Sequence, residues 1–255
     1  MSDIVTERSD SVLRVQLNRP ESKNAMTSAM YITLADLFNA AAKDDRIRVV
    51  LWHGAGDSFS AGNDLQDFME NPPGPGASPQ SRLIDALIRF EKPLVAAVQG
   101  AAIGGGTTML AHCDFVYAGE SAKFQLPFVD LALVPEFGSS LLLPLRFGYA
   151  RAAELILLGR PFDAARAAEL GLVTQVVPDQ SLLATATETA QSLARKPARA
   201  LQACKRLLRR ALREQLEQAV KFEADEFAER VSSAEAREAF MMFLAKRRRA
   251  PHQAA

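Results

Sequence analysis

The chain has 255 residues, with 30 Lys and Arg balanced by 30 Asp and Glu, and 48% of it is hydrophobic. That length carries one sizeable hydrophobic core, and the cancelled charge gives no global field of the kind a dedicated nucleic-acid binder uses. Cys113 and Cys204 make no metal-binding spacing, and no apolar run reaches the ~18 residues of a membrane span.

The first residues, MSDIVTERSD, lack a basic stretch followed by an apolar run, so no secretory signal is expected. The ending HQAA is no receptor-read address. A cytoplasmic protein with reduced cysteines, no nucleic-acid partner and no membrane partner is the expectation.

In chain order, Val12–Leu17 alternates apolar and polar residues and predicts a strand ending at Asn18-Arg19-Pro20. Thr27 is placed to cap a helix running to about Lys43, with Met30, Leu34, Leu37 and Phe38 on one stripe. Val49–His53 and Leu94–Val98 predict buried strands. Asn71–Pro79 (NPPGPGASP) is too rich in Pro and Gly for a regular element and is expected as a mobile surface loop. Phe115–Ala118 and Val173–Val177 predict further strands. From about Ser181 Ala, Leu, Arg and Glu dominate, and no glycine follows Gly171. An α/β body over 1–195 followed by a helical region over 196–255 is expected. The basic end KRRRAPH, Lys246–His252, fits a solvated helix terminus, with phosphate binding as the sharper alternative.

Several chemistries find no support. The chain has no G-x-S-x-G elbow, and His53, His112 and His252 show no metal spacing. Gly100–Gly106 (GAAIGGG) fits neither G-x-G-x-x-G nor a P-loop. Two glycine turns remain, Phe59–Leu65 (FSAGNDL) and Gln99–Leu110 (QGAAIGGGTTML), each where a strand ends and a helix could begin. Such a turn either permits close helix–strand packing or presents free N–H groups to a developing oxyanion.

Taken together and in order, these segments resemble the crotonase (enoyl-CoA hydratase/isomerase) superfamily, as do NRPESKNAM at Asn18–Met26, CDFVYAGESAKFQLPFVDLALVPEFGSS and SAEAREAFMMFLAKRRRA. The resemblance implies an α/β fold of ββα turns wound into a spiral superhelix, with a C-terminal helical trimerisation region. It implies an acyl-CoA thioester substrate, no metal, no cofactor beyond the coenzyme A of that substrate, and a homotrimer or dimer of trimers. The thioester oxygen would lie between the backbone N–H groups of Asn63 and Gly105. Coenzyme A would run along Lys23, Ala25, Ala61, Asp64 and Leu65, where Asp64 serves equally as a helix cap. Met109, Leu126 and Phe128 are acyl-pocket candidates, with core packing the alternative for each.

The positions at which hydratases of the superfamily carry their two glutamates hold Thr108 and Phe128. Glu136 instead matches the single catalytic glutamate of the peroxisomal-type Δ3,Δ2-enoyl-CoA isomerases. It stands in LVPEFGSSLLLP, Leu133–Pro144, an apolar run whose other residues carry no charge. Apolar surroundings raise a carboxyl pKa towards working pH, which suits a group that both takes and returns a proton. The plain alternative for Glu136 is an acid in the first turn of a helix. Hydration or another enolate reaction, and a non-catalytic acyl-CoA-binding or RNA-binding relative, are the rival functional readings.

Overall fold

The computed structural model describes residues 2–72 and 78–249. The centre of the expected loop, 73–77, and the side chains of the basic end lie outside the described residues. No described helix is long and apolar enough to cross a membrane.

The chain opens with an antiparallel hairpin, β1 (Ile4–Ser9) and β2 (Val12–Leu17). Helix α1 (Ser28–Lys43) follows, its first turn closed by the Thr27 side chain, which accepts the Met30 N–H as the sequence predicts. Strand β3 (Val49–Gly54) leads to the short helix α2 (Leu65–Glu70) and to α3 (Pro79–Arg89). Next come β4 (Leu94–Val98), β5 (Ala101–Ile103) and a single helical turn, α4 (Gly105–Thr108). Strands β6 (Phe115–Gly119) and β7 (Lys123–Gln125) precede helices α5 (Ser139–Phe147) and α6 (Tyr149–Leu158). The body closes with β8 (Phe162–Asp163), α7 (Ala164–Glu169), β9 (Gln175–Val177) and α8 (Leu182–Ala194). Three helices end the chain: α9 (Ala198–Arg210), α10 (Arg213–Val231) and α11 (Ala234–Arg249).

Six strands form one sheet in the order β1-β2-β3-β4-β6-β9, parallel from β2 onward. Parallel strands are covered on both faces, so they read as unbroken apolar runs. Every residue of β3 and β4 is accordingly buried. A second sheet, β5-β7-β8, runs beside the first, and an isolated bridge from Ser60 to Ala102 extends it. Each turn of chain therefore gives one strand to each sheet and then a helix: β3 with Ser60, β4 with β5, β6 with β7. This is the ββα spiral that the resemblance implies.

One sheet face packs on α8 through Leu182, Ala186, Ala190 and Leu193. The opposite face carries the main core, where Phe38 meets Trp52 and Phe90 edge-on at 5.4 and 5.2 Å. In the helical tail, Phe227 of α10 sits edge-on against Phe68 of α2 at 5.9 Å. The tail thus packs against α2, the helix that follows the first glycine turn. The strand expected over Val173–Val177 is shorter, because Val173 turns into the core and its N–H bonds the Ala167 carbonyl instead of a ladder partner.

Candidate active site

The two glycine turns are hydrogen-bonded to each other. Phe59 and Ser60 donate N–H groups to the carbonyls of Gln99 and Ala101, and Ile103 donates back to Ser60. Gly62, at φ +83°, sits so close to the second turn that a Cβ there would lie 2.5 Å from the Ile103 carbonyl oxygen and 3.5 Å from the Gly105 nitrogen. Only glycine combines that dihedral with that approach. Gly62, which precedes Asn63, thus brings the first turn against the Gly105 backbone. Gly105 is the first residue of α4, where a helix leaves its N–H groups free. Among the described residues neither N–H donates a hydrogen bond.

Glu136 approaches the same backbone from the side. A Cβ on Gly105 would lie 2.8 Å from its Oε1, so glycine alone leaves room for the carboxyl. The residue is 5% exposed, and Oε1 accepts a hydrogen bond from Asn63 Nδ2 at 2.9 Å. Burial pushes its pKa from the ordinary 4.5 up to about 8, with the carboxyl of Glu223 adding to the rise and the Asn63 bond opposing it. Glu136 is thus an acid held largely protonated near neutrality yet able to ionise within reach of working pH.

The helix-start alternative for Glu136 is not what the chain does. Helix α5 begins three residues later with Gly138 as its N-cap, and two of the N–H groups at its start are taken by Glu223 of α10. Glu223 accepts from Gly138 N–H at 2.6 Å and Ser140 N–H at 2.7 Å. Glu136 is left to face the glycine turns. The main chain reverses sharply just after it, with Phe137 at φ +62° and Gly138 at φ +68°. A non-glycine residue in the left-handed region is strained and must be held there by its surroundings. His112 supplies part of that hold, donating from Nε2 to the Phe137 carbonyl at 2.7 Å. Burial, reinforced by the nearby Arg209 guanidinium, depresses His112 to about 3, so the ring stays neutral.

A second buried group joins the same hydrogen-bonded chain. Tyr31, on the α1 face shared by Leu34, Ala35 and Phe38, donates its hydroxyl hydrogen to Asn63 Oδ1. Burial first, then the Glu136 and Asp67 carboxyls, raise the Tyr31 pKa well above its usual value, so it remains a donor. The Asn63 amide is fixed at both ends: its oxygen accepts from Tyr31 and its nitrogen donates to Glu136. Sequence reading assigns Asn63 only a backbone role and misses Tyr31, Glu223 and His112. The usable signal for Tyr31 was its place on the buried stripe, since a buried tyrosine hydroxyl needs a partner.

The remaining candidates separate into two groups. Lys23–Ala25 and Ala61–Leu65 lie together, through Ala61 N–H to the Lys23 carbonyl, Met26 N–H to Gly62 and Asp64 N–H to Met26. Lys23 is exposed, whereas Ala25 and Leu65 are buried. The Asp64 carboxylate caps α2 and pairs with Arg19 at 2.9 Å, which is its structural reading. Met109, Leu126 and Phe128 are buried in the main core. None of the three lines the small cavity of about 40 Å³ that opens beside Glu136, whose apolar wall includes Ile84, Phe137, Val220 and Phe227.

Two turns presenting free N–H groups beside a buried carboxyl suit chemistry in which an oxygen gains charge as a neighbouring carbon loses a proton. Comparison with known proteins points the same way. The enoyl-CoA hydratase/isomerase family profile matches residues 7–253. The chain is 37% identical to the 1,2-epoxyphenylacetyl-CoA isomerase of Escherichia coli over 97% of each chain. It is 36% identical to human enoyl-CoA delta isomerase 2 over 84% of its own length, spanning 56% of that longer protein. The structure of Pseudomonas aeruginosa OdaA superposes with a TM-score of 0.93 at 42% identity, covering 96% of this chain and 99% of that one. With spiral, paired glycine turns and full-length similarity in agreement, the chain is an acyl-CoA enzyme that belongs to the enoyl-CoA hydratase/isomerase family.

Proposed function

We propose that the protein is a Δ3,Δ2-enoyl-CoA isomerase in which Glu136 is the single acid/base and the N–H groups of Asn63 and Gly105 form the oxyanion hole. The observation that carries this reading is the Glu136 carboxyl, buried against the Gly105 backbone and hydrogen-bonded to Asn63 at 2.9 Å. Ionised Glu136 takes a proton from C2 of a 3-enoyl thioester. Negative charge passes to the thioester oxygen, where each backbone donor contributes about 3 kcal/mol to the barrier reduction. The protonated carboxyl then returns the proton to C4, and the double bond becomes conjugated with the thioester.

One carboxyl suffices for this cycle, because the proton taken is the proton given back. Adding water would need a second group to activate it, and Thr108 and Phe128 supply none at the positions where hydratases carry glutamate. Of the relatives described above, human enoyl-CoA delta isomerase 2 carries a name that fits this reaction. The test is to follow the ultraviolet absorbance of the conjugated product from 3-hexenoyl-CoA, with Glu136→Gln alongside. Wild-type turnover with loss of at least a thousandfold in the variant is expected; equal rates would reject the assignment.

The same reading includes self-association, as a homotrimer or dimer of trimers. Phe222, Met241, Met242 and Phe243 are between 46% and 69% exposed on α10 and α11, while Phe227 and Phe240 are buried within the chain. Exposed apolar surface of this density on two adjacent helices favours a partner copy.

A further inference from the structure

The cavity beside Glu136 has one polar side chain that no described residue uses. Gln80, the second residue of α3, is 6% exposed and lines that cavity. Neither its Nε2 nor its Oε1 has a hydrogen-bond partner among the described residues. The other polar groups on the wall are already engaged. Ser78 and Ser81 bond each other's backbone in the α3 capping box, Glu136 accepts from Asn63, and Glu223 accepts from Gly138 and Ser140. The rest of the lining is apolar or aromatic, including Ile84, Phe137, Val220 and Phe227.

Sealing an amide away from water without partners is costly, and a leucine or methionine of similar size would fill the place at no such cost. An unpaired buried group beside a reacting centre is explained when the ligand supplies the partner. We infer that Gln80 is a specificity-determining residue that hydrogen-bonds a neutral oxygen on the acyl group, making short, oxygen-bearing acyl-CoA thioesters the preferred substrates.

The inference rests on the acyl-CoA reading above and adds what the acyl group carries. The lining fixes the oxygen's charge state. No Lys, Arg or His lines the cavity, so a terminal carboxylate would be desolvated there with no counter-charge to pair with. A hydroxyl, ketone or ether oxygen needs none, and the Gln80 amide both donates and accepts. Size limits the group as well. A cavity of about 40 Å³ takes about three water-sized groups, enough for the end of a short chain but not for a long hydrocarbon tail.

Binding of unreactive saturated thioesters separates this inference from the isomerase assignment, because no turnover is needed. Calorimetry would compare butanoyl-, pentanoyl- and hexanoyl-CoA with their terminally hydroxylated and terminally carboxylated counterparts. Wild type is expected to bind at least one hydroxylated member about tenfold or more tightly than its plain counterpart, and every carboxylated member more weakly. Gln80→Leu is expected to reverse the order, weakening the hydroxylated ligand and strengthening the plain one. Gln80→Met, which keeps an unbranched chain of similar length, provides a second variant should leucine perturb folding. A wild type that prefers plain chains throughout, or variants that shift plain and hydroxylated ligands equally, would overturn the inference. Failure of 3-hexenoyl-CoA to isomerise would count against Glu136 chemistry and leave this binding result standing.

Discussion

Replacing Glu136 with glutamine should change how stability depends on pH, by an amount set by the burial of one carboxyl. In the folded protein that carboxyl titrates at about 8, against an ordinary 4.5. Between those values the folded chain holds a proton that the unfolded chain has lost, so stability falls as pH rises across the window. The displacement corresponds to at most about 5 kcal/mol in total, or about 1.4 kcal/mol per pH unit. The residue is 5% exposed, so bulk solvent screens little of it. Glutamine keeps the shape and an oxygen to accept from Asn63, but has no proton to lose. The unfolding free energy of Glu136→Gln minus that of wild type should therefore climb steadily from pH 5 to pH 8 and level off above. Urea denaturation of both proteins at fixed concentration, at each pH unit from 5 to 9, measures it. A difference that stays flat with pH would refute the claim that Glu136 is buried and protonated near neutrality.

Two neighbours of Glu136 should move the pH–rate profile in opposite directions. The rising limb of kcat/KM for a 3-enoyl-CoA is expected near pH 8 in wild type, since the ionised carboxyl is the base. Asn63→Ala removes the bond that holds the pKa down and should push the limb upward. Glu223→Gln removes a nearby carboxyl that raises it and should pull the limb downward; the same direction in both variants would contradict this account of the Glu136 pKa. Gly105→Ala would place a methyl 2.8 Å from Glu136 Oε1. It is expected to cut kcat by about a hundredfold or more, the scale of losing one oxyanion donor, with a small change in Tm. Light scattering should return at least three times the 27.7 kDa chain mass, and Phe222→Lys should lower it; a monomeric wild type would reject self-association through α10 and α11.

Much of this site could be read from residues that are out of place in their own neighbourhood. Glu136 was legible because it is the one acid in an apolar run, and Gly62 and Gly105 because small residues recur where strands give way to helices. Long parallel strands such as β3 announced themselves through unbroken apolar sequence. The short strands β5, β7 and β8 did not, since two or three residues have no period, and their pairing depends on distant segments. Side-chain partnerships were illegible for the same reason. Tyr31 meets Asn63 across 32 positions, and Glu223 meets Ser140 across 83. Nothing local marks Glu223 as the cap of α5, yet its doing so frees Glu136 from the first turn of that helix. Met109, Leu126 and Phe128 are apolar and near the motifs, a property that pocket and core residues share.

The central claim is that one sealed carboxyl carries the same hydrogen from C2 to C4. Single-turnover conversion of 3-hexenoyl-CoA bearing deuterium at C2, followed by mass spectrometry of the 2-hexenoyl product, tests it directly. Because Glu136 is buried, a measurable share of the product should carry the transferred deuterium at C4, and Glu136→Gln should yield neither transfer nor product. Complete loss of the label to water in wild type, or its transfer by the variant, would contradict a single-glutamate shuttle.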